Sequence, residues 1–344
     1  MAHQSLYRAY RPQSFKDVIG QPHITGALAE QMSAGKVGHA YLFAGSRGLG
    51  KTSVARIFAK ELKVSDKDLY EIDAASNNSV EDIRSLSENI HTLPFESPYK
   101  FYILDEAHML SKSAWNAFLK TLEEPPSYAI FVMATTELDK VPETVRSRCQ
   151  AFQFKKPSKE GLTKLIASVA KKEGATLEAG VAELIALIAD GSYRDALSVL
   201  EKVLSGSKDT TITRAEAEKA VGAPRGQLVH ALITALSQGN IDSALTAIRT
   251  ASKEEIEMSL YLSLVLEDMR TVLLIRHAPE LRKELQEEQG EEYASLEEIA
   301  SAKDSKLTHT TLRAFLDAAS RIRFSPVPAL PLELAVYEVL GEDK

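Results

Sequence analysis

The chain has 344 residues, enough for two or three domains that each bury a core. Its single cysteine, Cys149, excludes an intramolecular disulfide and any multi-cysteine zinc site. The formal net charge of −7 lies wholly in residues 223–344, because acids and bases balance before that point. A globally basic nucleic-acid binder is therefore excluded, whereas a local basic surface on the neutral part is not.

The N-terminal stretch MAHQSLYRAYRP lacks an apolar signal core, and no apolar run is long enough to span a bilayer, so the expected location is cytoplasmic, with no membrane partner. From there to about residue 155, strand and helix patterns alternate, which predicts a mostly parallel five-stranded sheet covered by helices. The predicted strands are Ala40 to Ala44, Leu69 to Ile72, Phe101 to Leu104, Ile130 to Ala134 and Ala151 to Phe154. From about Pro157 the strand pattern stops. Apolar residues then recur at helical spacing, and Thr213 with Glu216 forms a capping box before another short helix. A small helical domain is predicted to end near Gly222-Ala223-Pro224. Beyond it, helices are predicted over Met258 to Ile275 and Leu307 to Phe324, with an acidic helix face at 284–298 and a final helix opened by Pro331. The predicted domains are 1–156, 157–223 and 224–344.

Chemistry concentrates where the first strand ends. Gly45-Ser46-Arg47-Gly48-Leu49-Gly50-Lys51-Thr52, followed by Ser53, lies between an apolar strand and an amphipathic helix. Glycines at the first, fourth and sixth places let backbone N–H groups point at a phosphate chain, and the helix N-terminus adds favourable partial charge. Lys51 would reach the β- and γ-phosphates of ATP, and Thr52 would bind Mg²⁺. The strand at 101–104 ends in Asp105 and Glu106, so Asp105 would hold Mg²⁺ through water and Glu106 would orient or deprotonate the attacking water. His108 is expected to pack or face solvent. The fourth strand ends in Thr135-Thr136, where a hydroxyl could sense the γ-phosphate.

Arg148 follows on a short helix. It is either an ordinary surface arginine or a group that acts on the nucleotide of a neighbouring subunit. Arg194, at the start of a later helix, either reaches the bound nucleotide or pairs with an acid on its own helix. Asn77, Asn78 and Ser79, and Ser111 with Lys112, precede or open helices. They suit sequence-independent DNA phosphate contacts and equally suit ordinary helix capping.

Taken together, these strings resemble the gamma/tau family of bacterial DNA polymerase III clamp-loader subunits, which are AAA+ ATPases. The resemblance rests on Leu6-Tyr-Arg-Ala-Tyr-Arg-Pro12, Asp17-Val-Ile-Gly-Gln21, the phosphate loop, Asp105-Glu-Ala-His-Met-Leu-Ser111, Leu119-Lys-Thr-Leu-Glu-Glu-Pro-Pro126, Ser147-Arg-Cys149 and Gly191-Ser-Tyr-Arg-Asp-Ala-Leu197. It implies an AAA+ domain, a helical lid and an all-α collar through which the chain assembles. It also implies that Tyr7, Arg11 and Ile19 border the adenosine, that Thr136 and Arg194 are the two nucleotide sensors, and that Arg148 acts on the adjacent subunit's ATP. The partners it implies are a hetero-pentameric ring with further gamma/tau copies, delta and delta prime, a sliding clamp, and primer-template DNA. Family members commonly carry a four-cysteine zinc module where this chain runs directly from Leu62 to Leu69, so no zinc is expected. The longer tau form continues into a polymerase- and helicase-binding extension that is not expected here. The alternatives are a replication factor C small subunit and a catalytically silent subunit like delta prime, and an intact Lys51, Thr52, Asp105 and Glu106 argue against the second.

Overall fold

The computed structural model describes residues 4–207, 209–224, 226–289, 292–302 and 304–341. Two helices, α1 (Leu6–Ala9) and α2 (Pro22–Ser33), precede the first strand. Alternation then gives β1 (Ala40–Ala44), α3 (Lys51–Glu61), β2 (Leu69–Asp73), α4 (Val80–Ile90), β3 (Lys100–Asp105), α5 (Lys112–Glu123), β4 (Ala129–Thr135), α6 (Glu143–Arg146) and β5 (Gln150–Gln153). The strands lie in the order β2-β3-β4-β1-β5, and every neighbouring pair is parallel. Each connection runs back along the sheet before the next strand begins, as a parallel order requires.

Every residue of β1 and β4 is buried. That is why these segments read as continuous apolar runs, since a parallel sheet covered on both faces leaves no strand side for water. Side chains still alternate between two cores. Leu42, Tyr102, Leu104, Phe131 and Met133 pack on one face with Ile83, Trp115, Phe118 and Leu122. Tyr41, Phe43, Phe101, Ile103 and Val132 pack on the other with Ile24, Leu28, Val54 and Phe58. Phe58 meets Tyr41 and Phe101 edge-on, with ring centroids at 5.1 and 5.6 Å, which fastens α3 to the sheet.

β3 begins one residue earlier than its apolar pattern suggests, because Lys100 enters the strand buried. Its ammonium donates to Asn89 O at 2.8 Å, Asn89 Oδ1 at 3.0 Å and Thr92 Oγ1 at 2.6 Å, so the burial leaves no N–H unsatisfied. Asp68, fully buried just before β2, accepts from the backbone N–H groups of Phe95, Glu96 and Ser97 at 2.6, 3.0 and 2.8 Å. Together these two residues tie down the segment that leads into β3.

Helices α7 (Lys159–Lys172), α8 (Val181–Ile188), α9 (Tyr193–Gly206) and α10 (Arg214–Val221) follow, the last opened by the Thr213–Glu216 capping box. The expectation that strands end before residue 157 is corrected by a small parallel pair, β6 (Thr176–Leu177) with β7 (Thr211–Ile212). Two-residue strands bury too little to show a period-2 pattern.

The remainder is helical: α11 (Gly226–Gln238), α12 (Ile241–Lys253), α13 (Met258–His277), α14 (Arg282–Gln289), α15 (Glu292–Ser301), α16 (His309–Arg321) and α17 (Leu330–Leu340). The acidic stretch at 284–298 thus falls on α14 and α15, with residues 290 and 291 outside the described residues. Among the described residues, no helix is long and apolar enough to cross a membrane.

The chain divides into two compact units. One comprises everything up to Ile166 together with Ala189–Ser198, and the other comprises Ala167–Ile188 and Val199 onward. The second unit packs around α13, whose Val265, Met269 and Val272 belong to one buried core with Leu232, Leu236, Phe315 and Val336.

Candidate functional site

In the first unit β1, β3 and β4 are neighbours, so their C-terminal ends bring residues about ninety positions apart in sequence to one edge. The loop after β1 turns into α3 at Gly50, which sits at φ +90° as the helix N-cap. Gly48 sits at φ +78°, which disfavours any side chain, and a Cβ there would lie 2.0 Å from Ser192 Oγ and 3.1 Å from Ser192 Cβ, so Ser192 would have to move. Lys51, 6% exposed, folds back over the loop and donates to Gly45 O at 2.6 Å and Ser46 O at 2.8 Å. Burial pushes its pKa down, while Glu106 and Asp105 pull the other way. A buried ammonium that holds only carbonyl oxygens is ready to exchange them for phosphate.

Thr52 Oγ1 donates to Asp105 Oδ2 at 2.8 Å, so the hydroxyl and carboxylate expected to serve Mg²⁺ already touch. A hydroxyl and a carboxylate are hard oxygen donors, which fits that ion. Glu106 follows in a left-handed turn at φ +48°, and its carboxylate accepts from Thr136 Oγ1 at 3.3 Å. The tip of β4 therefore stands beside the candidate base, as a γ-phosphate sensor would need.

On the other side of the loop, Arg11 Nε donates to Ser53 Oγ at 2.8 Å, against the start of α3. Burial leans against the Arg11 charge, and the nearby Arg56 does so further. Tyr193 OH donates to Ile19 O at 2.9 Å, and a Cβ on Gly20 would meet that hydroxyl at 2.4 Å. The Arg194 guanidinium lies 5.6 Å from the centre of the Tyr7 ring, a cation–π placement. The Arg194 guanidinium thus stands over Tyr7, and among the described residues it makes no ion pair with an acid of its own helix. Arg11 and Arg194 stand beside the loop, at Ser53 and Gly48, while Tyr7 and Ile19 connect to it through Arg194 and Tyr193.

Arg148 is engaged elsewhere. Its Nη2 pairs with Glu123 Oε1 at 2.7 Å and its Nη1 donates to Thr144 O at 2.7 Å. The starts of α4 and α5 adjoin through Ser111 N and Asn78 O, at 3.4 Å. Here Ser79 and Ser111 act as helix caps, accepting from Asp82 N and Ala114 N. Asn77, Asn78 and Lys112 remain exposed beside them.

Several residues of this region carry no clear signal in sequence. His108, expected to pack or face solvent, is half-buried with its side chain turned inward, 3.1 Å from Thr135 Oγ1. Gln21 is fully buried and clamps Lys155 through both its amide atoms. Ser192 and Tyr193 close on the loop from a segment about 140 residues downstream. The adjacency of Asp-Glu and His in one string was the only available hint for His108.

The fold is that of an AAA+-type domain with a largely helical C-terminal region. Solved structures of RuvB from Thermotoga maritima share this fold, one with TM-score 0.53 and 20% identity over 85% of this chain and 90% of that one. A profile of the family described as DNA polymerase III, delta subunit, matches residues 20–158. The chain is 32% identical to DNA polymerase III subunit gamma of Buchnera aphidicola over the full length of both. It is 35% identical to subunit tau of Bacillus subtilis over 98% of this chain, and 36% identical to subunit tau of Escherichia coli over 81%. The chain belongs to the gamma/tau family of DNA polymerase III subunits. It spans 63% of the length of the Bacillus protein and 46% of the Escherichia protein.

Proposed function

We propose that this chain is an ATP-hydrolysing subunit of a replicative sliding-clamp loader within a DNA polymerase III holoenzyme. The observation that carries the proposal is the edge shared by Lys51, the Thr52–Asp105 pair and the Glu106–Thr136 pair, in a chain of this family. Backbone N–H groups of Gly45–Thr52 and the Lys51 ammonium bind the triphosphate, with Ser46, Arg47, Leu49 and Ser53 completing the loop. Tyr7, Arg11 and Ile19 border the adenosine. Thr52 and Asp105 hold Mg²⁺, which when bound neutralises charge on the phosphates; no zinc enters the scheme.

Glu106 accepts a proton from water as its oxygen joins the γ-phosphorus and the bond to the β–γ bridging oxygen breaks, leaving ADP and phosphate. Thr136 keeps that carboxylate in place. Arg194 reports the nucleotide to a helical lid at 157–223, and Arg148 meets the ATP of the next subunit, so hydrolysis is tied to assembly. The ring assembles with further gamma/tau copies, delta and delta prime through a collar at 224–344. Exposed Phe324, Leu330, Leu334 and Tyr337 suit that role. ATP binding opens the clamp and engages primer-template DNA through Asn77, Asn78, Ser79 and Lys112. Hydrolysis then releases the clamp on the DNA in the cytoplasm.

The test is steady-state ATPase with clamp and primed DNA for the wild type, Lys51→Ala and Arg148→Ala. Both substitutions should abolish most turnover. A preparation in which Lys51→Ala costs no activity belongs to a silent subunit and sinks the proposal. Mixing the two variants then shows whether one site draws on two chains.

A further inference from the structure

Three groups converge on Glu106. Its backbone is fixed at φ +48° with its N–H on Asp105 Oδ1 at 3.0 Å, so the side chain leaves the turn in one direction. Thr136 Oγ1 donates to Oε2 at 3.3 Å, and His108 Nδ1 stands 3.5 Å from the same oxygen. Among the described residues no hydrogen bond reaches Oε1.

The His108 ring is itself held at both edges. Nδ1 is 3.1 Å from Thr135 Oγ1, and Nε2 is 3.4 Å from Glu137 Oε1. Glu137 in turn donates its N–H to Thr135 Oγ1 at 3.0 Å and accepts from Lys140 Nζ at 2.9 Å. The ring side chain is 7% exposed. A neutral imidazole carries its hydrogen on one nitrogen, and with it on Nδ1 the contact to Glu106 Oε2 is attractive while Thr135 Oγ1 holds the same edge of the ring. A ring braced in this way cannot follow solvent, whereas a glutamate with three rotatable bonds would otherwise sample many positions.

We propose that His108 is a positioning residue for ATP hydrolysis, fixing Oε2 of Glu106 so that Oε1 is presented to the attacking water. The proposal rests on the hydrolytic reading above. A general base displaced by about 1 Å loses rate without any loss of substrate affinity, which is the behaviour that distinguishes this role from mere packing.

The experiment uses the full chain assembled with its partner subunits, clamp and primed DNA, and measures kcat, KM and equilibrium ATP binding for three variants. His108→Ala should lower kcat by about tenfold or more with ATP affinity unchanged. His108→Asn, whose amide occupies the Nδ1 position, should return kcat to within about threefold of wild type. His108→Gln reaches only the Nε2 position and should stay low. The proposal is overturned if His108→Ala keeps kcat within about twofold, if ATP affinity falls by the same factor as kcat, or if the Asn variant is as slow as the Ala variant. If the wild-type assembly itself fails to hydrolyse ATP, the hydrolytic reading falls first and the role of His108 with it.

Discussion

Arg148 and Glu123 form an ion pair at 2.7 Å between the end of α5 and the residues just past α6. The arginine assigned to a neighbour's nucleotide is thus committed within its own chain, and Thr144 O takes a second N–H. Arg148 and Glu123 keep 36% and 50% of their side-chain surface, so the pair is solvated and contributes little to stability, about 0 to 1 kcal/mol. Glu123→Gln should leave the melting temperature of the isolated chain unchanged while raising ATPase of the assembled ring, because Arg148 no longer has to leave a carboxylate. Arg148→Ala should lower ring ATPase by about a thousandfold. A Glu123→Gln ring with reduced ATPase would show that the pair orients the arginine instead of restraining it.

Separating binding from chemistry requires two substitutions. Glu106→Gln keeps size and hydrogen bonding but not basicity, so ATP binding should persist while turnover falls by roughly 10² to 10⁴. Lys51→Ala should lose ATP binding itself. Equilibrium titration beside single-turnover hydrolysis distinguishes the two. Equal loss of affinity in both variants would place Glu106 among the binding groups.

Gly48 disfavours any side chain. Its φ of +78° and the 2.0 Å approach of Ser192 Oγ mean that Gly48→Ala strains the backbone and pushes the Ala189–Ser198 segment off the loop. A loss of about 1 to 3 kcal/mol is expected in urea unfolding, together with weakened ATP binding. Ser192→Gly in the same background should recover part of both.

For Asp68, burial alone would raise the carboxyl pKa, but the N–H groups of Glu96, Phe95 and Ser97 outweigh it and hold it at about 2. A pKa depressed below its unfolded value gives stability that is full above the unfolded pKa of 3.8 and is lost as pH falls through about 2. Asp68→Asn should therefore destabilise the chain at pH 7 by about 1 to 2 kcal/mol and flatten its stability profile between pH 4 and 2. Urea midpoints at several pH values check the sign.

The only thiol offers an independent probe of folding. Burial pushes Cys149 up to about 12, so thiolate is scarce at ordinary pH. Ellman's reagent at pH 8 should react slowly with the native chain and at once in denaturant. Rapid labelling of the folded protein would mean that the Arg146–Gln150 segment opens readily.

The local grammar of the chain was legible. An apolar run, a glycine-rich loop and an amphipathic helix specify β1, the phosphate loop and α3 from neighbouring residues alone. The acid pair after β3 and the threonines after β4 follow from strand ends in the same way. Spacing alone names Lys51, Thr52, Asp105 and Glu106 as candidates and leaves Thr135 and Thr136 as one strand-end pair, while the sensor role of Thr136, the placement of Tyr7, Arg11 and Ile19, and the choice between the two readings of Arg148 and of Arg194 come from resemblance. Length was what hid β6 and β7, and an unexpected charge hid the start of β3 at Lys100.

By itself, then, the sequence determined most of the segments that become strand, loop or helix and which short strings suit phosphate chemistry, because period and backbone preference act over a few residues. Only the tertiary structure decided that Tyr193 bonds Ile19, that Arg194 lies over Tyr7, that His108 stands 3.5 Å from Glu106 and that Arg148 rests on Glu123. Those contacts depend on the strand order β2-β3-β4-β1-β5 and on the return of Ala189–Ser198 to the loop. Such long-range placements are set by burying two faces of one sheet at once, and no local pattern records them.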